Sequence, residues 1–372
     1  MKIAIVNPVR AGGCGGLVKH LFEVVPRMAS FHGCGQVDII TPTGAVEELR
    51  RLANNFFEVS KYDYYRGFQE IRKIIRQNHY DVALCTTARH VGYLDCPLVM
   101  MVRNIEPIQR PNYAMSIAWR CRLWMIRHEH AVACKAADHV LAVSNNMRNE
   151  VCREFKIKPN KVAVVYHGYT AESESKQVRP GLSRLEDLFL FSAGSIVPYR
   201  GFEDIIRALD HLRMRLGWAP IAVLAGVGGA IARPYEKSLS LLAKKMGVED
   251  RLVWAGQLCR EEMNWCYNNA ALFIQTSRAE SFGNVALEAM GHGCISISCN
   301  QPTMLEIYKD AAIFYPTGDS LALCKKIEEI LAMPVEEKKI LKDRAKKRSS
   351  HFSWGNTASQ TFQLLEKVIT AH

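Results

Sequence analysis

The stretch LFIQTSRAESFGNVALEAMGHG, residues 272–293, decides the reading of this chain. LFIQTS is a short, nearly continuous apolar run of strand length. Asn284 to Met290 has the composition of a helix, and Gly291 and Gly293 mark its end. A strand passing through a loop into a helix is the repeating unit of an α/β sheet, and the rest of the sequence repeats it. IAVLAG (221–226), LVWAG (252–256), LFLFSAG (188–194), CISISC (294–299) and AIFY (312–315) are runs of the same kind, separated by polar stretches of helical length. The first half shows the same pattern in IAIVNP (3–8), VDIIT (37–41), DVALCT (81–86), LVMMV (98–102), VLAVS (140–144) and VAVVYHG (162–168). Unbroken hydrophobicity over so few residues suits parallel strands covered on both faces.

The length of 372 residues fits two domains. The polar, turn-rich segment YTAESESKQVRPGLSRLEDL (169–188) separates the two sets of runs. The expected layout is a Rossmann-like domain over 1–170, a second over 171–350 and a final helix over 351–372 packing back on the first. Ligands of open α/β sheets bind beyond the carboxyl ends of the strands, so two such sheets are expected to face each other across a cleft.

Composition excludes little. The hydrophobic fraction of 48% and charged fraction of 23% are those of an ordinary globular protein. The net charge of +11 favours acidic partners without choosing among phosphates, anionic lipid and nucleic acid. Arginine-rich segments here lack the interleaved aromatics of single-strand binders, so no nucleic acid is expected. The twelve cysteines contain no C-x-x-C pair, which argues against zinc ribbons and redox dithiols and for small core residues in a reducing compartment. No window reaches the length of a membrane span, and the N-terminal apolar run is too short for a signal peptide. A cytoplasmic location is expected.

Glu280 stands at the end of a strand, and Glu288 lies on the following helix with seven residues between them. Ser281, Phe282, Gly283, Asn284 and Val285 occupy the helix's entry, where free N–H groups and the helix dipole favour a phosphate. Gly283 is read as removing a side chain that would block close approach. The loop RAGGCGG (10–16) follows the first strand and opens a helix, so Gly15 and Gly16 are candidate phosphate contacts. It fits neither G-x-G-x-x-G nor a P-loop.

ESFGNVALEAMGHG resembles the E-x7-E motif of glycosyltransferase family 4, the retaining group with the GT-B fold. The flanking LVWAGQLCREEMNWCYNNAALFIQTS (252–277) and CISISCNQPTMLEIYKDAAIFYPTGD (294–319) are similar to that family as well, with Glu306 at its usual glutamate. The resemblance is dense over 188–320 and weaker over 1–175. It implies a hexose moved from a nucleotide-diphosphate sugar, UDP or GDP, to a hydroxyl of a glycan or lipid-linked saccharide. By this resemblance Glu280 contacts the transferred sugar, Glu288 holds the ribose, and the amides of Gly283, Asn284 and Val285 face the sugar and diphosphate. In FSAGSIVPYRGFEDIIRAL (191–209) the family's diphosphate-gripping arginine and lysine positions hold Ser195 and Arg200. Where many relatives place a histidine near the sugar, this chain has Asn104, which is a candidate catalytic residue but no general base; Glu106 is the nearby alternative. The absence of a D-x-D pair is consistent with a metal-independent enzyme.

Other segments stay open. His167 reads as structural more readily than as a site residue. WRCRLWMIRHEHAVACKAA (119–137) fits a packed helix with a solvated basic edge, or a peripheral contact with an anionic membrane surface. Ser144 is placed to cap the helix that follows it. An epimerase, a phosphorylase, a degenerate transferase or a non-catalytic basic protein binding nucleic acid or an anionic surface are the rival functions.

Overall fold

A computed structural model describes residues 1–8, 16–44, 47–60, 66–109, 115–170, 185, 188–229 and 232–371. Gly15 and most of the glycine loop lie outside them. The chain divides into two compact units: Met1–Arg110, Ser116–Gly168 and Phe352–His372 form one, Pro111–Met115 and Tyr169–His351 the other.

The first unit holds seven parallel strands, β1 (Lys2–Val6), β2 (Gln36–Pro42), β3 (Phe56–Val59), β4 (Val82–Cys85), β5 (Leu98–Val102), β6 (His139–Ala142) and β7 (Val162–Val164). Their order is β3-β2-β1-β4-β5-β6-β7. The central strands are buried along their whole length: β4 and β5 have no exposed residue. That is why they read as continuous apolar runs. The sequence reading missed β3, a four-residue edge strand with one buried residue and a solvent-facing Glu58. Helices α1 (Gly16–Ala29), α2 (Arg66–Asn78), α3 (Ile117–Ala136) and α4 (Asn145–Phe155) connect these strands. Ser144 caps α4 by accepting from Met147 N at 3.1 Å.

The second unit repeats the design with β8 (Phe189–Ala193), β9 (Ile221–Ala225), β10 (Leu252–Gly256), β11 (Leu272–Gln275), β12 (Ser296–Cys299) and β13 (Ala312–Tyr315), all parallel, in the order β10-β9-β8-β11-β12-β13. Its helices are α5 (Glu203–Leu216), α6 (Arg233–Met246), α7 (Arg260–Asn269), α8 (Asn284–Gly291), α9 (Pro302–Tyr308), α10 (Ser320–Leu331) and α11 (Val335–Ser349). One core face is built from Phe189, Phe191, Tyr267 and Phe273; the other from Ile205, Ile206, Leu209, Leu224 and Ile297.

The last helix, α12 (Trp354–Thr370), belongs to the first unit and packs on α1 and β4. Its entry is tight. A Cβ at Gly168 would fall on the backbone N and Cα of Trp354, atoms that no rotamer change can move. Gly168→Ala is therefore expected to cost about 1–3 kcal/mol, as overpacking does. A thermal melt of the variant indistinguishable from that of the parent would show that α12 can slide and that its seat is not fixed here.

Candidate functional site

In the second unit the strand order reverses between β8 and β11, which lie side by side. Loops leaving two such strands at their carboxyl ends diverge and open a crevice, the usual ligand site of this architecture. Those loops are 194–202 and 276–283, the segments that carry Arg200 and Glu280.

The two loops are bound to each other. Arg278 N donates to Tyr199 O at 2.7 Å, and Thr276 Oγ1 donates to Arg200 O at 2.5 Å. Arg200 Nη1 donates to Ser277 Oγ at 3.0 Å and to Glu280 Oε2 at 2.6 Å. Burial opposes the charge of Arg200, but Glu280 outweighs it and raises the guanidinium pKa. Behind them Arg278 bridges Asp204 Oδ1 at 2.8 Å and Glu203 Oε1 at 3.0 Å, anchoring the loop to the first turn of α5. Gly201 sits at φ +66, and a Cβ there would strike the Arg278 guanidinium and approach Thr276 O at 2.8 Å. Glycine is required for the loops to close on each other.

Glu280 is held from several sides. Its Oε1 accepts from Ser281 N at 3.2 Å, and its backbone oxygen accepts from Thr303 Oγ1 at 2.6 Å. Beyond it Gly283 begins α8 at φ +93 with no side-chain cap. The first bond of the helix runs from Leu287 N to Gly283 O at 3.0 Å. The amides of Asn284, Val285 and Ala286 precede it, at the positions of a helix start that the helix's own bonds leave unsatisfied. Gly283 serves a different purpose from the one read in sequence. Its left-handed backbone favours glycine, and a Cβ would stand 2.6 Å from Met304 Cε, so backbone and packing demand it before any ligand does. Phe282 is 3% exposed; its ring belongs to the interior, and only its backbone can meet a ligand. Glu288 is half-buried and accepts from Tyr267 Oη at 3.2 Å. Tyr267 is fully buried and stacks on His292 at 5.4 Å.

The pairs brought together thus all lie in the second unit. In the first, Gly16 starts α1. Asn104 is exposed, and its Oδ1 accepts from Glu106 N at 3.1 Å. Glu106 as an alternative base is corrected: it is 6% exposed, and Oε1 accepts from the Trp119 indole at 2.8 Å, which makes it a brace for α3. His167 is 3% exposed and lies edge-on to Trp354 at 5.8 Å, a packed residue. Sequence reasoning missed Ser277, Thr303 and Tyr267. Only Ser277, within the same strand-to-helix loop, carried a signal that could have found it.

The comparisons with known proteins bear on both units. The family Glycosyltransferase Family 4 matches residues 14–173, and the family Glycosyl transferases group 1 matches residues 173–348. An uncharacterised glycosyltransferase of Methanocaldococcus jannaschii is 27% identical over 236 residues, 60% of this chain and 58% of that protein. A D-inositol 3-phosphate glycosyltransferase of Streptomyces bingchenggensis is 25% identical over 302 residues, 76% of this chain and 65% of that protein. This chain therefore spans less than two thirds of either relative. The crystal structure of Anabaena HepE in complex with UDP-glucose superimposes with a TM-score of 0.80 at 16% identity, covering 99% of this chain and all of that one. At that identity it shows the fold alone. With the two family matches running without a break from residue 14 to residue 348, the chain belongs to the family 4, group 1 glycosyltransferases of the GT-B fold.

Proposed function

We propose that the chain transfers a hexose from a nucleotide-diphosphate sugar to an acceptor hydroxyl with retention of configuration. One observation carries this reading: the Arg200–Glu280 contact of 2.6 Å at the strand-order reversal, beside the open amides of α8. Here a cation, a carboxylate and a helix N-terminus come together where the strand order reverses. The diphosphate needs the cation and the amides; the sugar hydroxyls need the carboxylate.

In the reaction the anomeric C–O bond to the diphosphate breaks, and a bond to the acceptor oxygen forms on the same face. The acceptor's proton passes to the departing phosphate oxygen. Negative charge grows on the leaving group, where Arg200 and the 284–286 amides stabilise it. Ser195 is exposed where relatives place a second cation, so Arg200 carries that task with the helix end. Glu280 orients Arg200 and accepts from the transferred sugar. Glu288, steadied by Tyr267, accepts from the ribose. Gly16 is the first unit's candidate contact to the donor phosphates, and Asn104 is a hydrogen-bonding group rather than a base.

An acceptor held at a lipid surface is favoured by α3. Trp119 and Leu123 are buried, yet Ile117, Trp124 and Met125 are 80%, 69% and 58% exposed beside Arg120 and Arg122. Apolar side chains flanked by arginines suit an anionic interface.

A thermal-shift panel of UDP-, GDP- and ADP-sugars tests the donor class. One of them at a hundred times its Kd should stabilise the chain by about 2.7 kcal/mol. No shift with any of the three would end the reading.

A further inference from the structure

The donor reading leaves one pocket of the first unit without a task. It lies at the amino-terminal edge of the first sheet, away from the carboxyl ends where such sheets take their substrates. Lys135 in the last turn of α3, His139 at the start of β6, Lys156 just past α4, Lys158 and Asn160 in the turn that follows, and Lys161 just before β7 line it. Its volume is about 320 Å³, enough for a small ligand.

The lysines of this pocket are not answered by acids. Among the described residues Lys135, Lys156, Lys158 and Lys161 have no ion pair. The acids of α4 are taken by arginines: Glu150 by Arg153 at 2.6 Å, and Glu154 by Arg153 at 3.0 Å and by Arg127. Asp138 is the one acid in the lining, and its Oδ2 accepts from Leu98 N at 2.7 Å. Helix ends account for only part of the charge. Both α3 and α4 end at the pocket, and a cation suits a helix's carboxyl end. Lys161 already meets that of α3, its Nζ donating to Lys135 O at 2.9 Å, so the charge of Lys135 itself has no such task. Lys156 stands at φ +56, a left-handed backbone that glycine adopts more readily, and yet a cation is kept there. The His139 ring feels the resulting field. Burial, and then the charge of Lys367, lower its pKa; Asp138 opposes this and Lys161 adds to it.

We infer that this pocket binds a phosphate-rich anion, either a soluble polyphosphate or the phosphate head of an anionic lipid. Four ammonium groups on flexible stems present point charges from several elements at once. That suits phosphate oxygens spread over a ligand better than a lone carboxylate, which one planar guanidinium would grip. At the amino edge of the sheet the ligand is an effector or an anchor rather than a substrate, and the site does not rest on the transferase reading.

The test is lysine acetylation of the full chain, followed residue by residue by mass spectrometry at fixed ionic strength. It is run with inorganic triphosphate, with phosphatidylcholine vesicles, and with such vesicles carrying phosphatidic acid. Triphosphate or the phosphatidic acid vesicles should slow modification of the exposed Lys135, Lys156 and Lys158 at least threefold and leave Lys339 and Lys342, exposed on α11, unchanged. Protection by triphosphate identifies a soluble ligand, and protection by the phosphatidic acid vesicles alone a lipid head. No protection by either overturns the proposal. So does equal protection of all five lysines, which would be attraction to net charge, and so does equal protection by plain phosphatidylcholine. Half-protection at Lys135 then gives the affinity in two charge-matched variants. Lys156→Gln with Lys158→Gln should weaken it at least fivefold, and Lys339→Gln with Lys342→Gln less than twofold; equal weakening refutes the site. Failure of every nucleotide sugar to bind would sink the transferase reading and leave this pocket standing.

Discussion

Glu280→Gln is expected to lower sugar transfer at least tenfold while the chain stays folded, and Arg200→Ala to damage both transfer and stability. The difference follows from the geometry. The amide of glutamine keeps an oxygen where Oε2 receives Arg200 Nη1, so the two loops remain joined. What it loses is charge, which matters to a sugar hydroxyl and to the alignment of Arg200 as the leaving group departs. Arg200→Ala removes the other partner. The two side chains are 15% and 13% exposed, so Glu280 would be left as a shielded, uncompensated carboxylate. Breaking such a pair from one side costs about 3–5 kcal/mol. It also removes the donor to Ser277 and the only side-chain link from the 194–202 loop to Glu280 among the described residues. Transfer from a labelled donor, read beside thermal melts of both variants, separates the effects. Undiminished turnover in Glu280→Gln would take Glu280 out of the site, and an unchanged melt in Arg200→Ala would mean the pair is solvated rather than buried.

That pair also shows where sequence reading stops. The inner strands β8, β9, β11 and β12 were visible because parallel strands buried on both faces write themselves as short apolar runs, and the edge strands β10 and β13 because their residues are apolar although only one in each is buried. β3 escaped because its four residues, FFEV, are interrupted by the solvent-facing Glu58 and so write no continuous run. Arg200 and Glu280 were each found through their position after a strand, but 80 positions separate them, and nothing local says that β8 and β11 are neighbours. Strand order is a tertiary fact, and so are the partners it creates: Tyr267 beneath Glu288, Thr303 on the backbone of Glu280, Asp204 against Arg278. Gly283 was legible as a glycine that mattered, though the reason lies in φ and in Met304, a residue of the next helix. Glu106 was misread for the converse reason. An acid beside a strand end looks like a base until the indole of Trp119 is found on it.

Acid should unfold the first unit well before carboxylates alone would. Three of its histidines are buried: His20 and His167 lie well below their ordinary value, and His130 is lowered to about 4 by burial and then by Arg89. The unfolded chain titrates them near 6.5. Above that pH neither state takes up a proton, and the three cost nothing. Below it the unfolded state gains a proton at each histidine that the folded state refuses, so stability falls as pH falls, until the folded pKa values are reached. The slope is about 1.4 kcal/mol per pH unit for each histidine, or about 4 for the three. Set against a typical total of about 5–15 kcal/mol, that exhausts the first unit within two or three pH units. Asp204 in the second unit runs the other way, because burial raises its carboxyl and acid favours its folded form. Urea melts from pH 7.5 to 5 should therefore show a stability that is flat above 6.5 and drops steeply below it. His130→Gln should remove about a third of that slope. A melt midpoint that holds level down to pH 5 would mean that the three rings take up protons inside the fold as readily as in the unfolded chain, and would overturn this account of their burial.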